Sequence, residues 1–574
     1  MSVVQGLKDI QHRHGFIPES ELRTLSRRIN VPLYQLYGVV SFYPHFRLKP
    51  PPAVEIQICR DMACHVCGTQ QLRTRLDEII REVGISYDMS GKEVAIKEAS
   101  CLGRCDGAPA LAINDEIFSK VDDNEVWSLV SQACAGKPLR PQALTRWPQK
   151  MQLDPYDGPP YYEQARRFAT SKDFAALLAE LTASSMRGMG GAGFPTGMKW
   201  DLVRKATNDP QKYVVCNADE SEPGTFKDRD IIRNAPHCLI EGIILGGLTI
   251  AANKGYLYIR HEYQEETRLL QETIDAARAA GAIGKNVFGS GLDFDLEIYV
   301  SPGGYICGEE TALLEALEGK RAEPRNKPPF PGTHGLWQKP TLLNNVETFS
   351  WVPLILARGG EWYKSQGVNG AAGLKIMGIS GHVKRPGVYE VPLGTTAREL
   401  IEKHAGGMIA GKQLKAFAPS GASSGFLPAD KVDIPLDWKP LQDAGTMLGS
   451  SAFVAFAEGT CMVDVALNIA RFFRNESCGK CVPCRLGTQK IVDLLTDSTT
   501  GSRKQRAFTM GQSEFHSTID ELASAMGLTS ICGLGQIAPA PIRSVMKYWP
   551  DELNEHVLKK RCPSGACFAG PAGK

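Results

Sequence analysis

Cys478, Cys481 and Cys484 stand three residues apart in Glu476-Ser-Cys-Gly-Lys-Cys-Val-Pro-Cys-Arg485. Thiols this close along a chain cannot pair usefully with one another as disulfides. They can converge on one inorganic core, because thiolates are the soft, electron-rich ligands that iron-sulfur centres take. A fourth ligand is required, and Cys532, in Ser530-Ile-Cys-Gly-Leu-Gly535, is the one cysteine in the several dozen residues that follow. The glycines there let backbone pass close to a bulky core. A structural zinc site is the competing reading, although zinc more often takes two separated Cys-x2-Cys knuckles. The spacing predicts a [4Fe-4S] cluster on these four cysteines, held on loops, and electron transfer as the work of the chain.

At 574 residues the chain exceeds a single core and is expected to hold three or four domains. A net charge of +2 with 22% charged residues gives no reason to expect a nucleic-acid partner. The first ten residues lack the basic start and apolar core of a signal peptide. The longest apolar run, Leu239 to Ala252, contains Glu241 and is too short to span a bilayer, so no membrane partner is expected. Sixteen cysteines in tight local groups suit ligation in a reducing, cytoplasmic compartment better than a secreted disulfide framework.

The first 52 residues read as helical, with Leu22, Leu25 and Ile29 on one face and breaks at His14-Gly15 and Asn30. Lys49-Pro-Pro-Pro52 stops the helices, and Val54, Ile56 and Ile58 alternate as a strand ending at Cys59. Cys59 and Cys64 form one pair; Cys101 and Cys105 form a second, after the alternating Val94 and Ile96. Ligands on two loops at the ends of neighbouring strands can meet around a two-iron core, so this arrangement predicts [2Fe-2S], with zinc or a redox disulfide as alternatives. Cys67 is an extra thiol nearby, and Cys134 is read as structural. The stretch resembles the small thioredoxin-like iron-sulfur subunit of respiratory complex I, and that resemblance makes Cys59, Cys64, Cys101 and Cys105 the cluster ligands.

Prolines and polar residues between Arg140 and Tyr162 read as a connector. A helix carrying Phe174, Leu177, Leu178 and Leu181 follows and runs into Ser185-Met-Arg-Gly-Met-Gly-Gly-Ala-Gly-Phe-Pro-Thr-Gly197. The literal G-x-G-x-x-G there follows a helix, not a strand, and so fails the context of an ordinary dinucleotide fingerprint. Its glycines can still offer backbone N–H groups to a phosphate, and Lys199 adds a positive charge. Lys212-Tyr-Val-Val-Cys-Asn-Ala-Asp-Glu-Ser-Glu222 is an apolar strand ending in polar groups, where a parallel sheet presents ligand contacts. Ser301-Pro-Gly-Gly-Tyr-Ile-Cys-Gly-Glu-Glu-Thr311 repeats the arrangement after the strand Leu296 to Val300, and Lys327-Pro-Pro-Phe-Pro331 and Asn344-Asn-Val-Glu-Thr348 complete the set. Any one of these residues alone could merely satisfy loop backbone; their occurrence together favours binding.

From residue 180 onward the chain resembles the NADH- and FMN-binding subunit of complex I. The resemblance implies that Gly188, Gly190, Gly191, Lys199, Asn217, Asp219, Tyr305, Asn344 and Asn345 hold FMN. It implies that Phe194, Glu222, Glu309, Glu310, Lys327 and Phe330 form the NADH side, with aromatic stacking and carboxylates on ribose hydroxyls. Met189 departs from the arginine usual in that family and is left outside the set. Cys216, Cys238 and Cys307 read as inert core thiols.

The fold expected is multidomain α/β, and the divisions expected are a helical hairpin with a thioredoxin-like [2Fe-2S] domain over 1–140, a linker over 141–165, and a Rossmann-like FMN/NADH domain over 166–370. An ubiquitin-like β-grasp domain implied by the resemblance follows over 371–455, and a helical [4Fe-4S] bundle with a tail over 456–574. In that tail Cys562 and Cys567, with His556 and Cys461, are read as a candidate Cys3His zinc site, as related hydrogenase flavin subunits have; unliganded thiols are the alternative.

The chemistry implied is hydride exchange between NAD(H) and FMN, with Glu222 positioning the nicotinamide, followed by single-electron steps into the clusters. Fusion of both pieces with all four N-terminal cysteines present resembles the diaphorase (β) subunit of soluble NAD-dependent formate dehydrogenases. The partner so implied is a large iron-sulfur subunit carrying molybdopterin with tungsten or molybdenum. An NAD-reducing hydrogenase subunit, a fused complex I subunit, a free diaphorase and a non-catalytic cluster scaffold are the alternatives.

Overall fold

The structure is a computed structural model that describes residues 2–86, 94–142, 147, 150–499 and 510–567. Parts of the expected connector (143–146, 148–149) and of the tail (568–574) lie outside the described residues.

Three helices open the chain, Val3–His14, Glu19–Ile29 and Leu33–Phe42. Gly15 and Asn30 end the first two in the left-handed conformation that glycine and asparagine tolerate best, as their positions in the sequence suggest. A four-stranded sheet follows in the order Val94–Ala99, Val54–Cys59, Ala110–Ile113, Glu116–Ser119. Its first pair is parallel and the rest antiparallel, so the loops after Cys59 and after Ala99 leave the same edge of the sheet side by side. Cys134 is buried with Val54, Ile56 and Leu111, a core thiol as expected.

The second sheet is fully parallel, in the order Asp295–Val300, Lys254–Ile259, Tyr213–Ala218, Thr341–Asn345. Parallel strands need covering on both faces, which explains their near-continuous apolar character. The apolar run around Glu241 forms the buried helix Pro236–Ile250, and no helix among the described residues is long and apolar enough to cross a membrane. Glu241 is tolerated there because it accepts hydrogen bonds from Tyr156 Oη and Ala165 N, both near or in the strap that leads into this domain. Burial still pushes its carboxyl up to about 7.

A third, mixed sheet of five strands runs in the order Gly387–Pro392, Leu374–Gly381, Ala452–Ala457, Leu414–Ala418, Leu427–Pro428. Helices complete the chain, led by Met462–Glu476, Val482–Thr499 and Gln512–Thr529.

Helix Pro236–Ile250 packs directly on Val346–Arg358, the helix that continues the polar strand end Asn344-Asn345. Gly242 makes this possible: a Cβ there would lie 2.0 Å from Phe349 O, in backbone rather than in a movable side chain. Gly242→Ala is expected to destabilise the chain by about 3 kcal/mol, read as a lower urea midpoint with an unchanged slope.

Candidate functional site

A cavity of about 400 Å³ opens at the carboxyl ends of the parallel strands, the place where open α/β sheets bind ligands. Gly188, Gly190, Phe194, Lys199, Asn217, Asp219, Glu222, Tyr305, Glu309, Glu310, Lys327, Asn344 and Asn345 all line it. Two expected residues stand apart: Gly191 and Phe330 lie outside this lining, Phe330 with an exposed ring at the start of helix Pro331–His334. Met189 is buried in the core, its N–H bonded to Thr348 Oγ1 at 2.8 Å, so its side chain does not face the cavity.

The walls are held by hydrogen bonds that local sequence explains in part. Asn217 Oδ1 accepts from Asp219 N at 3.0 Å, and its amide donates to Gly308 O at 2.9 Å, tying two strand ends together. Glu309 Oε2 caps helix Glu310–Leu317 through Thr311 N and Ala312 N, while its Oε1 takes one Lys327 N–H at 3.0 Å. Lys327 also donates to Glu310 Oε1 at 3.0 Å. Glu222 is fixed from another domain, with Oε1 accepting from Ser423 N at 3.0 Å and Oε2 from Ser450 Oγ at 3.1 Å. Burial raises the Glu222 carboxyl, pushes Asp219 up to about 7 and lowers Lys199.

Asn344 Oδ1 and Asp219 Oδ2 are buried without a hydrogen-bond partner among the described residues. Buried acceptors are nearly always satisfied, so two orphans in one cavity wall fit a hydroxyl-rich ligand such as the ribityl chain of FMN. Lys199 and the glycine-rich backbone can hold its phosphate, and the half-exposed Phe194 ring offers a stacking face at the mouth.

Several lining residues escaped the sequence reading. Thr225, Lys227 and Asp228 follow directly on the polar strand end and were within reach of the same argument. Ser450, which also lines the cavity, and Ser423, which supports Glu222 from behind, lie more than 200 positions from it and carry no local signal.

Cys59, Cys64, Cys101 and Cys105 are all buried at one end of the first sheet, with 3.5 Å between Cys101 Sγ and Cys105 Sγ; the sequence suggests loops, but Cys59 closes strand Val54–Cys59, Cys64 lies in the short helix Met62–Val66, and Cys105 opens a 3-10 turn after the Cys101 loop. This donor set fits a two-iron cluster. Buried arginines of the parallel-sheet region clamp the second loop: Arg260 donates to Cys101 O at 2.6 Å and Arg229 to Gly103 O at 2.5 Å.

Cys478 and Cys481 sit on a loop, half-buried, whereas Cys484 lies in the first turn of helix Val482–Thr499 and Cys532 is the cap of helix Gly533–Ile537. The sequence suggests loops for all four; two instead lie at helix starts, where burial pushes the Cys484 thiol up to about 11 and the Cys532 thiol up to about 12. Gly535 permits the approach, since a Cβ there would meet Ser530 Oγ at 2.5 Å and Cys484 Cβ at 2.8 Å. Gly533, Leu534 and Ile537, in the short helix that follows Cys532, line the cavity, so Cys532 borders it directly.

Cys461, His556, Cys562 and Cys567 bring one donor atom each to within 4.8 Å of all the others. His556 Nε2 lies 3.4 Å from Cys461 Sγ and 3.3 Å from Cys567 Sγ, while Nδ1 pairs with Glu552 O at 2.7 Å. Anchoring the far ring nitrogen to a carbonyl is how ligating histidines are oriented.

The thioredoxin-like [2Fe-2S] ferredoxin family matches residues 1–133, the Nuo51 FMN-binding domain 181–354, the SLBB domain 376–427 and the NADH-ubiquinone oxidoreductase-F iron-sulfur binding region 464–556. The F 2 subunit of NADH-quinone oxidoreductase from Rhizobium meliloti (strain 1021) is 44% identical over 380 residues, 66% of this chain and 88% of that protein. The corresponding F subunit of Escherichia coli (strain K12) is 42% identical over 406 residues, 71% of this chain and 89% of that protein. HndC, a subunit of the NADP-reducing hydrogenase of Solidesulfovibrio fructosivorans, is 41% identical over 389 residues, 67% of this chain and 77% of its own length. A chain in the crystal structure of an NAD+-reducing [NiFe]-hydrogenase in the H2-reduced state superposes with a TM-score of 0.84 at 29% identity, covering 97% of this chain and 94% of that one.

The cofactors of this chain are therefore FMN, NAD(H), a [2Fe-2S] and a [4Fe-4S] cluster. The chain belongs to the family of NADH-quinone oxidoreductase F subunits, joined in one polypeptide to a thioredoxin-like [2Fe-2S] ferredoxin domain.

Proposed function

We propose that the chain is the diaphorase subunit of a soluble formate dehydrogenase, exchanging electrons between NAD(H) and a molybdenum- or tungsten-bearing catalytic subunit. The observation that carries the diaphorase reading is the cavity itself, whose wall is shared by the nucleotide-type residues and by the helix that follows Cys532. Bound FMN supplies the ability to take two electrons together and release them singly. The protein orients and shields. Glu222, clamped by Ser423 and Ser450, presents a fixed carboxylate to the nicotinamide side, and Lys199, Asn217, Asp219, Tyr305, Asn344 and Asn345 hold the flavin side with Gly188 and Gly190. Glu309, Glu310 and Lys327, with Phe194 and Phe330, take the adenosine half. Cys59, Cys64, Cys101 and Cys105 hold the two-iron cluster, and Cys478, Cys481, Cys484 and Cys532 hold the four-iron one.

The formate reading rests on the joining of both pieces in one chain with all four N-terminal cysteines kept. The likeness to a hydrogenase chain over 97% of the length favours a hydrogenase partner as the second reading. Metal analysis of the native complex separates them: tungsten or molybdenum in a co-purifying large subunit supports formate, and nickel supports hydrogen.

The anaerobically reconstituted chain is expected to be yellow-brown, to reduce an artificial dye with NADH and to develop cluster EPR signals; a fully loaded chain that reduces no dye sinks the diaphorase reading. Two carboxylates beside one lysine disfavour the extra phosphate of NADPH. Glu310→Gln is expected to raise kcat/KM for NADPH relative to NADH about fivefold, equivalent to about 1 kcal/mol of repulsion removed. Cys461, His556, Cys562 and Cys567 are proposed to bind one zinc ion, whose closed Cys3His set makes it structural. Elemental analysis is expected to find one zinc per chain and to lose it in Cys562→Ala with iron and flavin unchanged.

A further inference from the structure

The helix Met462–Glu476 meets every redox region of the chain. Near its start Asp464 Oδ2 lies 2.7 Å from His65 Nε2. Midway, Asn468 bridges the first cluster loop, accepting from Met62 N at 2.9 Å and donating to Arg60 O at 2.8 Å. Phe472 and Phe473 pack against the ring of Tyr305, with centroids 5.0 and 6.5 Å away. The helix ends at Glu476, two positions before Cys478.

Glu476 uses both carboxylate oxygens across long sequence separations. Its Oε1 accepts from Ser100 Oγ at 2.5 Å, and its Oε2 accepts from Tyr305 N at 2.8 Å, partners 376 and 171 positions away. Ser100 immediately precedes Cys101, and Tyr305 lines the flavin cavity. A helix C-terminus is a poor place for an acid, because its free carbonyls already carry partial negative charge. The two donors from other domains are what stabilise the carboxylate there, and charge-assisted hydrogen bonds of this kind are among the stronger and more directional ones.

We propose that Glu476 is a positioning residue that fixes the Cys101 loop against the Tyr305 loop and so governs how readily the [2Fe-2S] centre is reduced from the flavin site. The inference rests on the assignment of Cys59, Cys64, Cys101 and Cys105 to that cluster. NADH oxidised to NAD+ and a proton supplies two electrons, one for each cluster. Glu476 takes neither electrons nor the proton; it sets the placement of the loops between which one of those electrons passes.

The test uses the full chain with flavin and clusters loaded, mixed with NADH, freeze-quenched and read by EPR for the two clusters separately. In Glu476→Ala the [2Fe-2S] signal is expected to grow about tenfold more slowly, while the [4Fe-4S] signal keeps within about twofold of the unaltered rate, since small misplacements cost rate steeply. Glu476→Gln can still accept from Tyr305 N and donate to the Ser100 hydroxyl, so it is expected to restore most of the [2Fe-2S] rate. Ser100→Ala cuts only the Oε1 arm and is expected to reproduce the slow [2Fe-2S] phase; it decides the matter if Glu476→Ala does not fold. Unchanged ratios of the two signals in these variants, or parallel slowing of both, overturn the inference alone. An unaltered chain with no [2Fe-2S] signal overturns the cluster assignment, and the inference with it.

Discussion

Glu347 is wholly buried, and the two ammonium groups that face it, Lys227 and Lys375, are buried as completely. Its Oε2 lies 3.0 Å from Lys227 Nζ and also pairs with Lys375 Nζ, while Oε1 accepts from Ile376 N at 2.8 Å. Charges removed from water this thoroughly persist only when every one is matched, and removing a single partner costs about 3–5 kcal/mol. Burial pulls the Lys375 ammonium down to about 8 even with Glu347 beside it. The consequence is geometric. Helix Val346–Arg358, helix Lys227–Asn234 and strand Leu374–Gly381 must meet at one point, which joins the parallel sheet to the mixed one.

That meeting point lies under the cavity. Asp228 is held by Lys227 at 2.6 Å and in turn accepts from Asn345 Nδ2 at 2.5 Å, so the floor of the cavity is oriented by the buried network. Docking of the two sheets also carries Ser423 and Ser450 to Glu222. The Glu222 carboxylate is thus positioned from a region more than 200 residues further along the chain.

The two cysteine quartets are built differently. The N-terminal cysteines are sealed between a sheet edge and the buried guanidinium groups of Arg229 and Arg260, whereas Cys478 and Cys481 remain half-exposed beside the exposed side chains of Val482 and Leu486. Hydrogen bonding, nearby charge and solvent exposure all tune such centres, so the two sets stand in unlike environments before any partner is considered.

Spacing alone singles out both cysteine quartets as candidates, because donors that share one core must be close in sequence or follow paired strands, and each strand ending at or just before such a cysteine is visible as an alternation of Val and Ile. The polar ends of Tyr213–Ala218 and Thr341–Asn345 were legible for the same local reason. Nothing local marked Glu476 as a bridge to Ser100 and Tyr305, Ser450 as a support for Glu222, or Gly242 as the seat of Phe349. Those roles arise from contacts across separations of roughly 100 to 400 positions, which a window of neighbouring residues does not sample. The amino-acid order by itself determined which side chains could bind iron, flavin and nucleotide; how those groups share one cavity wall and one helix was decided by the packing of three sheets around matched buried charges.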